Sequence, residues 1–171
     1  VANTVAAVQA GAEHVQGTYL GYGERCGNAN LSTIIPNLQI KLGYNCVPEK
    51  NLERFTRTAR WISEVANQPL YRGMPYVGGS AFSHKAGMHI DAVTKESSSF
   101  EHVAPGSVGN ERRFLMSEVA GRGTVLKKIQ KIAPVLTKDS AETSEICKRV
   151  KQLEYEGYSF EAAEASFELL V

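Results

Sequence analysis

The sequence predicts a mainly α-helical chain with a short α/β part near its N-terminal end, and three observations carry that reading. Most of the chain repeats apolar residues every three or four positions, the period of a helix with one buried face. The run from Gly11 to Leu31, GAEHVQGTYLGYGERCGNANL, reads instead as a short apolar strand followed by a glycine-punctuated loop presenting Glu24, Arg25 and Asn28. A (β/α)8 or TIM barrel builds its site in that order, on loops at the C-terminal ends of its strands. At 171 residues the chain falls short of the roughly 250 that a complete barrel takes. Only the end of such a barrel fits, with α-rich segments after it.

Taken in order, residues 1 to 11 form an apolar helical pattern with Gly11 near the C-cap, and no Met, N-cap or signal-peptide pattern precedes it. Val1 therefore reads as a cut inside a helix. His14 to Thr18 reads as a short buried strand. After the glycine loop, apolar spacing resumes from Asn30 to Ile40, with Pro36 near the first turns or at a kink, and Gly43 ends that helix. From Pro48 to Ala66, Leu52, Phe55, Ala59, Ile62 and Ala66 form one stripe, which predicts a single linker helix. Gln68 to Gly79 turns to Pro and Gly, the clearest boundary in the chain. Ala81 to Val93 reads as a turn into a short helix, and a loop-rich stretch runs from there to about Gly123. Two helices close the chain. The first is capped by Asp139 or Ser140, buries Ile146, Val150 and Leu153, and stops at Gly157; Ser159 caps the second, which buries Phe160, Ala163, Phe167 and Leu170 with Glu161 in its first turn.

Composition narrows the function classes. Nothing approaches the run of about 18 apolar residues that a membrane span demands. Cys26, Cys46 and Cys147 are an odd number with no C-x-x-C pair, which argues against a disulfide framework and a structural zinc site and makes a reducing cytoplasm the expectation. The net charge of +1 hides an asymmetry: Glu111 to Lys131 holds six basic residues against two acidic, and Gln152 to Val171 holds five acidic and no basic ones. The basic zone, with Arg112, Arg113, Arg122, Lys127 and Lys128, reads either as a hold for a phosphorylated ligand or as a solvated helix face. Aromatics are not interleaved with it, so nucleic acid is a poor fit.

Gly21, Gly23 and Gly27 give the loop backbone conformations closed to other residues. Glu24, Arg25 and Asn28 then form either a polar site or, for the first two, a structural ion pair in a tight turn.

The segment Gln16-Gly17-Thr18 through Gly23-Glu24-Arg25-Cys26-Gly27-Asn28 resembles the last barrel strand and loop of the 2-isopropylmalate, homocitrate and citramalate synthase family, with its G-E-R-x-G-N signature. Ala81-Phe82-Ser83-His84-Lys85-Ala86-Gly87-Met88-His89 is similar to that family's A-F-x-H-x-x-G-x-H element. Val108-Gly109-Asn110-Glu111-Arg112-Arg113 and the stretch from Leu153 to Leu170 favour the citramalate synthase-like branch. The resemblance implies four parts: 1–45, the C-terminal end of the barrel; 46–79, a linker helix and boundary loop; 80–130, a subdomain contributing to the active site; and 131–171, a C-terminal helical subdomain.

It also implies a Claisen-type condensation of acetyl-CoA with a 2-oxo acid, pyruvate favoured, in branched-chain amino-acid biosynthesis. A divalent metal (Mg, Mn or Zn) holds the oxo acid, and thioester hydrolysis releases CoA. Asn28 matches the family's metal-ligating asparagine; the other ligands, an Asp and an H-x-H pair, belong to strands outside this sequence. His89 corresponds to a histidine that the second domain contributes in trans from a partner subunit as a proton-transfer group, which implies a homodimer. Glu24 of the signature is the second candidate catalytic residue. The chain alone is expected to be inactive. Read without the resemblance, His89 is a half-buried helix residue satisfied by backbone, and His84 is structural; five residues apart, the two make no zinc motif.

One departure stands out. Where the family generally has a tyrosine in a T-Y-E-H-like segment, this chain reads Ser98-Ser99-Phe100-Glu101-His102, and a phenyl ring cannot donate a proton. Ser99 or a water takes that role, or the register slips by a residue, or the activity has diverged. The alternatives to citramalate synthesis are 2-isopropylmalate or homocitrate synthesis, because the pocket that selects the oxo acid lies mostly upstream of this sequence, or a helical dimerisation module without chemistry, which Phe100 supports.

Overall fold

Helices dominate the computed structural model, which describes residues 1–115, 122–160 and 163–171. The first, α1 (Ala2–Gln9), ends where Gly11 takes a positive φ, and it buries none of its residues. The strand expected over His14 to Thr18 does not form; Thr18 makes a single parallel bridge to Asn30. A strand is held by hydrogen bonds to its neighbours, and among the described residues the pairing does not extend beyond Thr18.

Asn30 is the N-cap of α2 (Leu31–Pro36): its Oδ1 accepts from Ser32 N at 3.0 Å and from Ser32 Oγ at 2.7 Å. Pro36 brings no N–H to the helix ladder, and the next turn, Asn37–Lys41, widens to a π-type turn that buries Leu38. The single linker helix predicted from Pro48 is two, α3 (Glu49–Leu52) and α4 (Phe55–Val65), separated at Glu53 and Arg54. The stripe survives the break because Leu52, Phe55 and Ala59 are all buried, with Ile62 packed beside them. Ala66 is exposed. Thr56 donates its hydroxyl to Val108 O at 2.8 Å, fixing α4 to a turn 52 residues away.

The chain folds as two compact units, Val1–Phe82 with Val103–Arg112, and Ser83–His102 with Arg113–Val171. In the first, Leu20, Leu52, Phe55, Ala59, Tyr76, Val77, Phe82, Val103 and Val108 form the core. The Pro- and Gly-rich stretch thus supplies Tyr76 and Val77 to that core.

In the second unit, β1 (Ser83–His84) and β2 (Arg113–Phe114) pair in parallel, with Ser83 opposite Arg113 and His84 opposite Phe114. Between them comes α5 (Gly87–Lys95), burying Ile90 and Val93. Helix α6 (Arg122–Ile132) occupies residues that the sequence reading left without an element; its Val125 and Ile129 pack on Ile146, Cys147 and Val150 of α7 (Ala141–Tyr155). Ser140 is the N-cap residue of α7 as expected, but its Oγ accepts from Thr137 N at 3.0 Å rather than from the helix. Gly157, at a positive φ, ends that helix. The last helix, α8 (Glu164–Glu168), starts after Ala163, so Ser159 is not its cap; Phe160 and Phe167 are buried as expected. The expected role of Glu161 lies outside the described residues. Among the described residues no helix is long and apolar enough to cross a membrane.

Candidate functional site: the glycine loop and the α5 histidine

The loop from Thr18 to Asn30 is closed by its own backbone. Thr18 N donates to Ala29 O at 3.0 Å, Leu31 N to Thr18 O at 3.0 Å, Asn28 N to Gly21 O at 2.9 Å and Gly27 N to Glu24 O at 2.9 Å. Tyr19 moors it to α4 by donating its hydroxyl to Phe55 O at 2.9 Å, and burial pushes that phenol's pKa upward, so the group stays a donor. Its ring also packs on Phe55 at 5.6 Å between centroids.

Inside this frame Asn28 is set by a carbonyl. Its Nδ2 donates to Tyr22 O at 2.9 Å, and Thr18 Oγ1 donates to the same oxygen at 2.6 Å. A carbonyl can face only the NH2 end of a carboxamide, which fixes the orientation and leaves Oδ1 on the opposite side of an exposed side chain. Asn30, two residues on, differs. Its oxygen caps α2, and its Nδ2 reaches Met74 Sδ at 3.0 Å. Of the two asparagines, only Asn28 offers an oxygen with no partner among the described residues.

Two glycines make this possible. A Cβ on Gly23 would collide with the Asn28 Nδ2, and one on Gly27, whose φ is +87°, would collide with Gly21 O. Gly23→Ala is therefore expected to expel the carboxamide from Tyr22 O. In a 15N spectrum of the chain, the Asn28 side-chain pair should move to a solvent-exposed position while resonances of the α4 core stay. An unmoved pair would refute this.

Glu24 and Arg25 form an ion pair, Arg25 Nη1 to Glu24 Oε2 at 2.8 Å, with side chains 87% and 78% exposed. Arg25 has a positive φ of 58°, a turn conformation unusual for a residue with a Cβ. A pair so exposed contributes little stability. It leaves both charges at the surface of the loop that carries Asn28.

His89 lies in the first turn of α5, in the second unit, half-buried. No hydrogen bond holds its ring nitrogens to described residues, which sets aside the reading of a histidine satisfied by backbone. Its ring lies against Phe100, centroids 4.3 Å apart and planes at 33°. His84 is different: Nε2 meets Glu101 Oε1 at 3.0 Å, with side chains 10% and 2% exposed.

Among the described residues no group of three or more His, Cys, Asp or Glu side chains converges to hold a metal. A cleft of about 880 Å3 lined by Gln39, Cys46, Glu49 and Glu53 includes none of the candidate residues. Sequence reasoning missed Asn110, which is buried and donates from Nδ2 to Tyr76 O at 2.8 Å and Gly78 O at 3.0 Å. It also missed the two pairs His84–Glu101 and His89–Phe100. Their partners are 17 and 11 residues apart, beyond any local pattern.

Comparison with known proteins adds the family. Residues 1–62 match the family described as HMGL-like, and residues 76–157 match the one described as homocitrate synthase post-HMGL domain-like. The (R)-citramalate synthase of Aquifex aeolicus is 49% identical over all 171 residues, which cover 32% of that protein. That of Synechocystis sp. is 52% identical over 171 residues, covering 31% of it. A probable 2-isopropylmalate synthase of Methanopyrus kandleri is 34% identical over 153 residues, 90% of this chain and 30% of that one. The chain spans about a third of the length of these relatives. It belongs to the 2-isopropylmalate, homocitrate and citramalate synthase family and resembles its citramalate synthase branch most.

Proposed function

We propose that the protein carrying this chain condenses acetyl-CoA with pyruvate to form citramalate. The observation that carries this reading is identity near one half to (R)-citramalate synthases along the whole chain, glycine loop and α5 segment included. In this reading residues 1–45 complete a (β/α)8 barrel, and two copies associate so that His89 of one serves the site of the other.

Asn28 fits a hard divalent cation such as magnesium or manganese. Its Oδ1 is a neutral oxygen donor without a partner among the described residues, and Nδ2 is anchored at 2.9 Å to Tyr22 O, so the oxygen is oriented before any ligand arrives. The Asp and the H-x-H pair that the family resemblance places outside this sequence would complete such a site. Bound there, the ion supplies Lewis-acid polarisation of the oxo acid. The chain's own residues orient and move protons. Asn28 holds one coordination position, and Glu24 with Arg25 presents opposite charges beside it. His89, whose ring nitrogens have no hydrogen-bond partner among the described residues, carries a proton between acetyl-CoA and solvent.

The test is CoA release by the whole enzyme from acetyl-CoA with pyruvate, 2-oxoisovalerate and 2-oxoglutarate in parallel. Pyruvate should give the highest kcat/KM, and His89→Ala should lower kcat by about 10²- to 10⁴-fold, the range of a lost general acid or base. Preference for 2-oxoisovalerate would move the assignment to 2-isopropylmalate synthesis. No CoA release with any of the three would reject condensation.

A further inference from the structure

The residue that takes the place of a tyrosine in this chain touches His89. Phe100 is 49% exposed, so its ring contributes little to a core. It is nonetheless held. Glu96 Oε1 accepts from Ser98 N at 3.2 Å and from Ser98 Oγ at 2.8 Å, and Ser99 Oγ donates to Glu96 O at 2.7 Å. The two bonds from Ser98, its hydroxyl first, hold the Glu96 carboxyl below its usual pKa. Phe100 N and Glu101 N both donate to Ser97 O, at 3.4 and 3.0 Å. The next side chain, Glu101, runs inward to the buried hydrogen-bonding contact with His84, and His84 is itself fixed where Leu115 N donates to its carbonyl at 2.9 Å. The backbone of Phe100 is thus anchored on both sides. Its ring lies against the His89 imidazole, centroids 4.3 Å apart and planes tilted by 33°.

We infer that Phe100 is a positioning residue for His89, its ring selecting one imidazole orientation and leaving both nitrogens clear for substrate. The inference rests on the reading of His89 as the proton carrier. Position 100 needs a flat ring for this, and no phenol. An aromatic replacement keeps the role and an aliphatic one of similar size loses it. Half exposed, the site tolerates either without disturbing the core.

Two measurements separate the contact from the chemistry. In the whole protein with labelled histidine rings, the His89 ring protons, assigned by His89→Gln, should lie upfield of those of exposed His14. Phe100→Leu should abolish that displacement, and Phe100→Tyr should retain it. His89 resonances that do not move in Phe100→Leu would overturn the inference. In the whole enzyme, Phe100→Leu should lower kcat about tenfold, in line with the cost of a misplaced catalytic group. KM for the oxo acid should change less than about twofold, and Phe100→Tyr should restore kcat. A kcat unchanged in Phe100→Leu, or lost equally in Phe100→Tyr, would also overturn it. An enzyme that releases no CoA at all removes the proposed function, and the His89 resonances then decide the contact by themselves.

Discussion

Asn28→Ala in the whole enzyme is expected to lower turnover by about 10²- to 10³-fold, comparable to removing an oriented oxygen from a charge-stabilising site. Folding should hardly change. The side chain is exposed, and the carbonyl it leaves, Tyr22 O, keeps its bond from Thr18 Oγ1 at 2.6 Å. One lost hydrogen bond at the surface costs about 1 kcal/mol or less. Asn28→Asp separates ligation from loop structure. It supplies oxygen on both branches, but one would face Tyr22 O without a hydrogen between them, so the carboxylate must rotate out of place. Both variants should be assayed for CoA release and for unfolding by circular dichroism. Turnover within twofold of the parent in Asn28→Ala would contradict the role assigned to this residue.

The largest loss of stability is expected from Asn110→Ala. This carboxamide is 9% exposed and uses three of its four hydrogen-bonding positions: Nδ2 to Tyr76 O and Gly78 O, and Oδ1 from Glu111 N at 2.9 Å. The turn that it grips is unusual, because Tyr76 has a φ of +65° while its ring is buried. A bulky residue in that region is strained and persists only where its surroundings impose it. Alanine removes all three bonds, at about 1 kcal/mol each, although Gly78 O keeps its bond from Ala81 N at 3.1 Å, and frees the turn to relax. The net expectation is about 3 kcal/mol, or roughly a 10²-fold loss of hydrogen-exchange protection along α4, whose Phe55 and Ala59 share the core with Tyr76. Asn110→Asp should fare no better, since a carboxylate would face the same carbonyls. A loss below 1 kcal/mol in the alanine variant would show that the turn is held elsewhere.

How much of this was legible in the sequence depended on the range of the interaction that decides it. Helices α5 and α7 were, because their apolar spacing and the terminal Gly157 are local signals. Helix α6 was not. Its Lys127, Lys128 and Lys131 and neighbouring glycines masked a stripe of which Val125 and Ile129 are buried. The break between α3 and α4 also escaped, since the stripe of Leu52, Phe55 and Ala59 keeps its phase across it. The strand expected at His14 to Thr18 needs a partner along its length, and among the described residues the pairing does not extend beyond Thr18. At the site, the residue types of Glu24, Asn28 and His89 were readable from motif resemblance. The anchoring of Nδ2 by Tyr22 O, the ring of Phe100 on His89 and the Glu101–His84 pair were not, because each depends on how the chain returns on itself. The same holds for Asn110, whose partners lie 34 and 32 residues away.

The central claim is that the glycine loop turns one oxygen, Oδ1 of Asn28, toward the metal at which condensation occurs. A crystal of the whole enzyme grown with Mn2+ and pyruvate, with its anomalous difference map, tests this most directly. The account requires a manganese peak at bonding distance from that oxygen, about 2.1–2.3 Å, with Nδ2 still on Tyr22 O. Manganese bound elsewhere, with the residue 28 carboxamide in bulk water, would contradict it.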